Sequence, residues 1–481
     1  MYDEIIKKIN TGKFFDAEKD LDVLILKNPN DSKSLYLNGV VKLKLNKLEE
    51  SLENLSNSVK YDKNIENLFA YAEVLTKIKK FTEAEDCYKK ILLLDNLNEP
   101  ALINLGYIYL LTEQYSQSED CYLKAIKINK KNYHYFLNLG NLYKRQNMLT
   151  KAISEYNQAL KLNPLNHDIK KALGTTLLTQ KKYDIAWDYF ESRIYARQNK
   201  GLLFDTIKNY IFKEHEIIKA KNLVVVSEQG IGDKILFSSI YKDLLKKNIN
   251  IKFITEKRLI PIFRRSFGDF EYILDNNISR IKELIQMDFK FIYAGSLGKY
   301  FRKKISNFDG NSFLKPNNKK ILEYQSVLKN YKFKKYIGIS WKSSSEFRGK
   351  KSYDINDFKP ILSNESIGVV NLQYGEVEDL NRYNLENEKK IIQIKNLDLL
   401  NEIDNVISLI SCLDYIITSP NVTIHLAGCV GKNCIAYYHS NYESILNSST
   451  NISNEWYNNL KIIQFNEDLK SKVKQTLNII N

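Results

Sequence analysis

A repeat period close to 34 residues restricts the fold of this chain more than any other feature. Small residues recur at separations of 33, 34, 34 and 34, at Gly39, Ala72, Gly106, Gly140 and Gly174. Each is followed 12 residues later by another small residue and 16 residues later by a bulky one, as in Gly106, Ser118 and Tyr122. The pattern predicts two short helices per repeat, in which small side chains allow close approach and the bulky one fills the gap to the next repeat.

This period resembles that of the tetratricopeptide repeat, and it predicts an α-solenoid domain over residues 1–200. Stacked repeats of this kind form a concave groove that binds an extended peptide or another protein. Asn104 and Asn138 lie at equivalent positions, two before the small residue. Related repeats that deliver proteins to a sugar transferase carry similar asparagines, so both are candidate acceptor-binding residues. The alternative is that they are ordinary solvated helix surface, and a homodimer built on the repeats stays open.

Charge and cysteine usage narrow the possible partners. A net charge of +15 and a pI of about 9.1 are compatible with nucleic acid, an anionic membrane surface or phosphorylated small molecules. No recognised nucleic-acid motif accompanies the charge, so we do not expect nucleic acid as a partner. The 5 cysteines and 5 histidines lack the spacings of a disulfide framework or a metal site. No transmembrane or secretory segment is recognised, which predicts a cytoplasmic protein.

The second half of the chain begins with a strand, a glycine turn and a helix. The run 222–227 reads as a buried parallel strand, and Ile235 to Lys247 as an amphipathic helix. Gly230 and Gly232 lie between them, where they would allow close approach of the backbone to an anion or a sugar hydroxyl.

Further strands and helices then alternate along the chain. Strands are predicted at 337–341, 369–373, 415–418 and 434–438, a helix at 406–412, and a further helix that Asn421, Thr423 and His425 precede. This alternation indicates a parallel sheet, whose ligands lie beyond the carboxyl ends of the strands. A basic loop from Lys342 to Lys351 and a polar cluster at Asn421 both fall at such ends.

The order of these motifs resembles the catalytic region of bacterial tetratricopeptide glycosyltransferases. The segments are Ser-Glu-Gln-Gly-Ile-Gly-Asp, Gly-Ile-Ser-Trp with its basic loop, Asn-Leu-Gln, Asn-Val-Thr-Ile-His-Leu-Ala-Gly and Glu-Trp-Tyr, within about residues 185–465. That region is similar to the lipopolysaccharide heptosyltransferases, which have the two-domain GT-B fold. The resemblance implies two Rossmann-like α/β domains, with 201–330 on the acceptor side and 331–481 on the nucleotide-sugar side.

The resemblance also implies roles for single residues. Asp233 matches the aspartate proposed as the base that takes a proton from the acceptor hydroxyl, although a helix N-cap fits its position equally well. The negative charge that develops on the leaving diphosphate must be stabilised by fixed positive charge. The residues implied at the nucleotide sugar are Gly230, Gly232, Lys342, Arg348, Lys351, Gln373, Asn421, Thr423 and His425, with Lys350 as an alternative to Lys351.

Two features leave alternatives open. Pro420 and Asn421 stand where the heptosyltransferases have an aspartate before a threonine, so heptose as the donor sugar is not implied. His425 could instead be a packed helix residue, and the basic loop a solvated surface.

The sequence therefore predicts a glycosyltransferase that moves a sugar from a nucleotide sugar to an acceptor hydroxyl with inversion. The only Asp-x-Asp lies inside the repeats, at Asp20 and Asp22, so we expect neither a metal nor a cofactor. The acceptor is a protein delivered by the repeats or a glycan. The rival hypothesis is a non-catalytic repeat scaffold with a degenerate sugar-nucleotide domain.

Overall fold

The chain divides into two compact units, Met1–Ile169 and Lys170–Asn481. The structure is a computed structural model and describes residues 2–196, 201–343, 352–375, 378–439, 446, 454–466 and 468–480. Within these described residues, no helix is both long enough and apolar enough to span a lipid bilayer.

The repeats are pairs of antiparallel helices with short turns. Their bounds are α1 Tyr2–Asn10, α2 Phe14–Lys27, α3 Ser32–Lys44, α4 Leu48–Tyr61, α5 Ile65–Lys77, α6 Phe81–Leu94, α7 Glu99–Leu111, α8 Tyr115–Ile128, α9 Tyr133–Arg145, α10 Leu149–Leu162, α11 His167–Thr179 and α12 Tyr183–Phe190. The small residues allow the close approach of helices that the period predicts. A Cβ on Gly106 would lie only 2.6 Å from the ring of Tyr122. The same contact pairs Gly140 with Tyr156.

Two further periodic features fix the helix ends. The first helix of successive repeats is capped by the side chain of an acidic or amide residue, at Asp31, Asn64, Asn98 and Asn132. The turn inside each repeat contains a left-handed residue, at Asn46, Lys79, Glu113, Asn147 and Lys181. None of these is glycine, so the helix pair must stabilise a backbone conformation that such residues adopt rarely.

The predicted boundary at residue 200 differs from the observed division. Helix α12 follows the repeat period, yet it lies in the second unit, where Trp187 packs on Gly298. The boundary near residue 330 stays a prediction, and the helix just before it, α19 (Asn318–Lys329), packs against α22 (Ile403–Ser411), which precedes strand β7 (Tyr415–Thr418). The Cys412 thiol at the end of α22 donates to the carbonyl of Ile321 in α19.

The second unit contains two parallel sheets. The first half has α13 Leu202–Ile207, β1 Asn222–Val226, α14 Ile231–Ser238, α15 Tyr241–Leu245, β2 Asn250–Ile254, α16 Ile260–Phe267, β3 Tyr272–Ile273, α17 Ile278–Gln286, β4 Lys290–Tyr293, α18 Gly298–Phe301 and α19. The second has β5 Lys335–Ser340, α20 Lys359–Leu362, β6 Ile367–Asn371, α21 Glu378–Glu386, α22 Ile403–Ser411, β7 Tyr415–Thr418, α23 Thr423–Cys429, β8 Cys434–His439, β9 Leu460–Phe465 and α24 Leu469–Ile480.

The strand orders place one switch point in each sheet. They are β3-β2-β1-β4 and β6-β5-β7-β8-β9, and every paired strand is parallel. The direction of winding reverses between β1 and β4 in the first sheet and between β5 and β7 in the second. Ligands of open α/β sheets bind at the carboxyl ends of strands beside such points.

The strands predicted from the sequence are confirmed within two residues as β1, β5, β6, β7 and β8, as is the parallel-sheet α/β region itself. The predicted helix 235–247 begins earlier, at Ile231, and is interrupted between α14 and α15. Strands β2, β3, β4 and β9 were not predicted; β3 has two residues, and only the first and last residues of β9 are buried.

We expect Gly174→Ala to destabilise the second unit by about 1–3 kcal/mol. The new Cβ would lie 2.4 Å from the backbone nitrogen of Phe190, and a backbone atom cannot rotate out of the way. All 3 tryptophans lie in this unit, at Trp187, Trp341 and Trp456, so urea unfolding followed by tryptophan fluorescence reports its stability.

The matched control is Gly106→Ala, at the same position of an earlier repeat. There the nearest atoms belong to the Tyr122 side chain, which can move, and the equivalent pair of the preceding repeat is Ala72 and Tyr88. The control should leave the fluorescence transition unchanged. An unchanged transition for Gly174→Ala itself would contradict the backbone contact.

Candidate functional site

In the turn between β1 and α14, the residue with a left-handed backbone is not one of the two predicted glycines. Its left-handed residue is Gln229, with φ 60°, whereas Gly230 has an ordinary φ of −77° and caps α14. A Cβ on Gly230 would meet only the Asp233 carboxylate, at 3.9 Å. Gly230 therefore gives the backbone no conformation that another residue could not adopt.

Gly232 is required for a different reason, which is close packing between the two halves. A Cβ at this position would lie 2.8 Å from Cδ2 and 3.1 Å from Nε2 of His425. Helix α14 thus lies directly on helix α23, and the imidazole of His425 fills the space beside the glycine. This contact brings the polar ends of both sheets to one place.

Asp233 lies in the first turn of α14, at its third residue. The helix N-cap is Gly230, so the alternative that Asp233 is that cap is wrong. A carboxylate in the first turn is still favoured by the helix dipole. The charge of Asp233 is close enough to Tyr457 to affect the pKa of its hydroxyl.

Half-buried His425 pairs with buried Tyr457 next to Asp233. The hydroxyl of Tyr457 is hydrogen-bonded to Nδ1 of His425 at 3.0 Å. Burial lowers the pKa of His425 to about 4, so its imidazole is neutral at neutral pH. Burial, reinforced by the charge of Asp233, raises the pKa of Tyr457 well above 10. In the tautomer whose Nδ1 accepts from the tyrosine, Nε2–H is a donor.

The buried amide of Gln373 holds the end of β5. Its oxygen accepts from the backbone N–H groups of Trp341 and Lys342 at 2.9 and 2.7 Å, and from the Ser340 hydroxyl at 3.2 Å. Its nitrogen donates to the carbonyl of Tyr374. Both ends of the amide bond protein groups, so the geometry supports a role in positioning the loop after β5, and a contact of Gln373 with a nucleotide stays a prediction.

Asn421 has the same kind of role between β5 and β7. Its nitrogen donates to the Ser340 hydroxyl at 2.8 Å and to the carbonyl of Lys342 at 3.0 Å. Its oxygen accepts from the backbone N–H of Thr423, the first residue of α23, at 2.9 Å. Asn421 therefore connects the predicted basic loop to the helix that carries His425.

Lys342 is the cation of the predicted basic loop that the structure describes. Its ammonium pairs with Asp379 at 2.7 Å, and the same carboxylate accepts from the indole N–H of Trp341. Burial alone would raise the pKa of Asp379, but the Lys342 ammonium and the Trp341 indole N–H, which both donate to this carboxylate, lower that pKa. The Lys342 side chain keeps 42% of its surface exposed, so it can also reach a ligand.

The two ends of the predicted basic loop are hydrogen-bonded near strand β5. The backbone N–H of Ser343 donates to the Ser352 hydroxyl, and that of Tyr353 to the carbonyl of Trp341. The loop thus leaves and returns at the carboxyl end of β5. The predicted residues Arg348, Lys350 and Lys351 lie outside the described residues.

Two cavities lie along this edge of the second sheet. One of about 240 Å³ follows β6 and is lined by Asn371, Gln373, Tyr374 and the segment 397–400. The other, of about 490 Å³, lies between the loop after β5 and α21, with Lys342 and Asp379 on its wall. Among the described residues, no three His, Cys, Asp or Glu side chains lie together as metal ligands.

The segment Glu455-Trp-Tyr457 connects the parts of the second unit. Glu455 accepts from Lys181 and Tyr183 at the start of α12, and the Trp456 ring lies 6.3 Å from Phe237 in α14. Tyr457 bonds His425 as described above. The sequence marked this segment only as part of a family motif, because its partners are more than 30 residues away along the chain.

The candidate acceptor residues lie in the first unit, on the first helix of their repeats. Asn104 is half-buried on α7, close enough to Tyr88 to hydrogen-bond its hydroxyl, whose pKa is raised mainly by burial. Asn138 is half-buried on α9. The neighbouring Asn141 accepts from the Tyr156 hydroxyl at 2.8 Å.

The low pKa of His425 predicts loss of stability in acid. The unfolded pKa is about 6.5, above the folded value of about 4. The contribution of the neutral imidazole is therefore complete above pH 6.5 and is lost as the pH falls towards 4, up to about 3 kcal/mol.

We expect His425→Gln to reduce the fall in unfolding free energy between pH 7 and pH 4.5. The control His215→Gln, at an exposed histidine, should keep the fall of the native protein; an equal fall in both variants would argue against burial of a neutral His425.

Comparisons with known proteins identify the repeats. Residues 99–132 and 133–166 each match the tetratricopeptide repeat. The protein FlbA of Caulobacter vibrioides is 26% identical over 276 residues, which cover 54% of this chain and 46% of FlbA. This chain therefore spans about half the length of that relative.

Two solved structures are similar to this chain in part. A tetratricopeptide repeat protein from Parabacteroides merdae is 18% identical, with a TM-score of 0.38 over 43% of this chain and 82% of its own. The repeat protein TTC0263 from Thermus thermophilus is 19% identical, with a TM-score of 0.32 over 36% and 95%. The family matches and the observed helix pairs together make the N-terminal part of the chain a tetratricopeptide solenoid, followed by a parallel-sheet α/β region.

Proposed function

We propose that this protein is a glycosyltransferase that moves a sugar from a nucleotide-sugar donor to an acceptor hydroxyl with inversion. The two α/β halves would form a GT-B pair of Rossmann-like domains, with the donor mainly on the second half. The observation that carries the proposal is the contact of Gly232 with His425. It places the Asp233 carboxylate of one half beside the polar strand ends of the other.

Asp233 is proposed as the general base. An inverting transfer needs a carboxylate that accepts the proton of the acceptor hydroxyl while its oxygen attacks the anomeric carbon and the bond to the diphosphate breaks. Glu228 is the other carboxylate of this turn, but it bonds Arg193 and the backbone N–H of Gly295. Asp233 is thus the acid of the turn whose position at the contact between the halves suits proton transfer.

Lys342 and His425 are proposed to meet the charge of the departing diphosphate. A diphosphate carries more negative charge than Asp379, so Lys342 can exchange that partner for the ligand. In the tautomer that carries Nε2–H, half-buried His425 would add a neutral donor where hydrogen bonds are stronger than in water. Arg348 and Lys351 remain predicted contacts from the same loop. Such groups would neutralise the leaving group without a metal ion.

The cavity after β6 is proposed as the place of the nucleoside. It adjoins the loop that Gln373 holds and combines apolar walls at Leu397 and Leu399 with polar groups at Asn371 and Asp398. That combination suits a flat base with polar edges and a ribose.

The acceptor is proposed to be a protein segment bound in the repeat groove, with Asn104 and Asn138 as candidate contacts. Tetratricopeptide grooves bind extended peptides and proteins. A glycan acceptor is the alternative, and it would make transfer independent of these two asparagines.

Asp233→Asn should keep the affinity for the donor and lose turnover by about 10²-fold or more, because the amide cannot take the proton. Donor binding is measured by thermal shift or calorimetry, and turnover by release of the nucleoside diphosphate. The control Asp269→Asn changes an exposed aspartate of the same half and should leave both unchanged. Turnover of Asp233→Asn equal to that of the native protein would remove Asp233 from the base role.

Lys342→Met should weaken donor affinity about tenfold, as expected for loss of one charge-assisted contact. The panel consists of UDP-, GDP-, ADP- and CMP-sugars, and the control is Lys461→Met, at an exposed lysine of the same half. If no nucleotide sugar stabilises the native protein, the hypothesis of a non-catalytic scaffold is favoured over that of an enzyme. If Lys342→Met binds like the native protein, the phosphate site lies elsewhere.

A further inference from the structure

A buried ion pair joins the end of the repeat period to the turn that carries Asp233. Arg193 follows α12 and is 1% exposed; Glu228 follows β1 and is 6% exposed. Nε of Arg193 donates to one oxygen of the carboxylate at 2.9 Å and Nη2 to the other at 2.5 Å. Although burial alone would lower the pKa of Arg193, the charges of Glu228 and Glu191 raise it.

Every N–H direction of this guanidinium has a partner. Besides Glu228, Nη1 donates to the carbonyl of Phe190 at 3.2 Å and to Glu191 at 3.0 Å, and Nη2 to the Ser296 hydroxyl at 3.1 Å. A fixed planar fork of this kind specifies direction as well as distance. The carboxylate is thereby held in one orientation.

The ion pair lies at the switch point of the first sheet. Glu228 follows β1 by two residues, and its carboxylate also accepts from the backbone N–H of Gly295, after β4, at 2.7 Å. A Cβ on Gly295 would lie 2.7 Å from Glu228 and 2.8 Å from Arg193, so only glycine fits there. The carboxylate thus connects the two strands between which a ligand of this half would approach.

An aromatic contact links the same arginine to helix α14. The ring of Phe190 lies 4.3 Å from the guanidinium and 6.2 Å from the ring of Phe237 in α14. Trp187, one turn earlier, donates its indole N–H to the carbonyl of Arg302 at 2.8 Å. The end of α12 therefore contacts both α14, which holds Asp233, and the residue that follows α18.

Stability alone does not account for this arrangement. Burying two charges costs so much desolvation that an apolar pair of similar volume is often equally stable. The ion pair does, however, set the direction of Glu228, which precedes the left-handed Gln229 and the start of α14.

From these contacts we infer that Arg193 and Glu228 are positioning residues for Asp233, and that helix α12 belongs to the catalytic unit. The inference rests on the proposed function, in which Asp233 takes the acceptor proton. Arg193 and Glu228 are buried and act through the turn 229–233. Disturbing them should lower kcat while the donor, bound mainly on the second half, keeps its affinity.

The test is the double variant Arg193→Met with Glu228→Leu in the full chain. Either single change leaves a buried unpaired charge and can prevent folding, whereas the double change removes both charges. We expect a folded protein with donor affinity within about threefold of the native value and kcat reduced about tenfold or more, because misplaced catalytic groups are costly. The matched control is Arg280→Met with Glu271→Leu, a two-contact pair of the same half that is about one third exposed. It should leave kcat unchanged.

Amide hydrogen exchange over residues 228–238 gives a readout that does not depend on activity. In the double variant these amides should exchange faster than in the native protein, while those of β8 should not change. Native kcat together with native exchange in the double variant would overturn the inference. If the native protein neither binds nucleotide sugars nor turns them over, the proposed function fails, and the exchange alone decides whether the pair fixes the turn.

Discussion

The contact between Gly232 and His425 is the constraint on which the rest of the candidate site depends. Two parallel sheets present polar residues at their carboxyl ends, but these become one site only if the helices that follow β1 and β7 can touch. Gly232 permits this, because any side chain there would overlap the imidazole. Tyr457 then fixes the imidazole from the other side, through Nδ1.

Polar residues at strand ends divide here into two kinds. Gln373 and Asn421 are buried amides whose donors and acceptors connect β5, β7 and the loop between them. Lys342 and Asp233 are charged and partly exposed, as groups that meet a ligand must be. A sequence pattern identifies the strand end but cannot separate these kinds, since both are polar residues after an apolar run.

Local periodicity explains which parts of the structure could be predicted. The repeats, β1 and β5–β8 follow from spacing and apolar runs, whereas β2, β3, β4 and β9 are short or mixed in pattern. In the site, the motif order indicated Asp233, Lys342 and His425. It could not indicate Asp379, whose partner Lys342 is 37 residues away in sequence, or that the left-handed residue of the glycine turn is Gln229.

The domain boundary shows how a true repeat can belong to another unit. Helix α12 keeps the spacing of the repeats, with Gly174 packed on the backbone of Phe190. Its end, however, is buried against the α/β region through Trp187 and Arg193, and Lys181, just before its start, pairs with Glu455. A division at residue 200, drawn from the period alone, would separate Arg193 from Glu228 and leave a buried carboxylate without its partner. The repeat period therefore predicts where the helices form, whereas the buried ion pair shows which unit α12 stabilises.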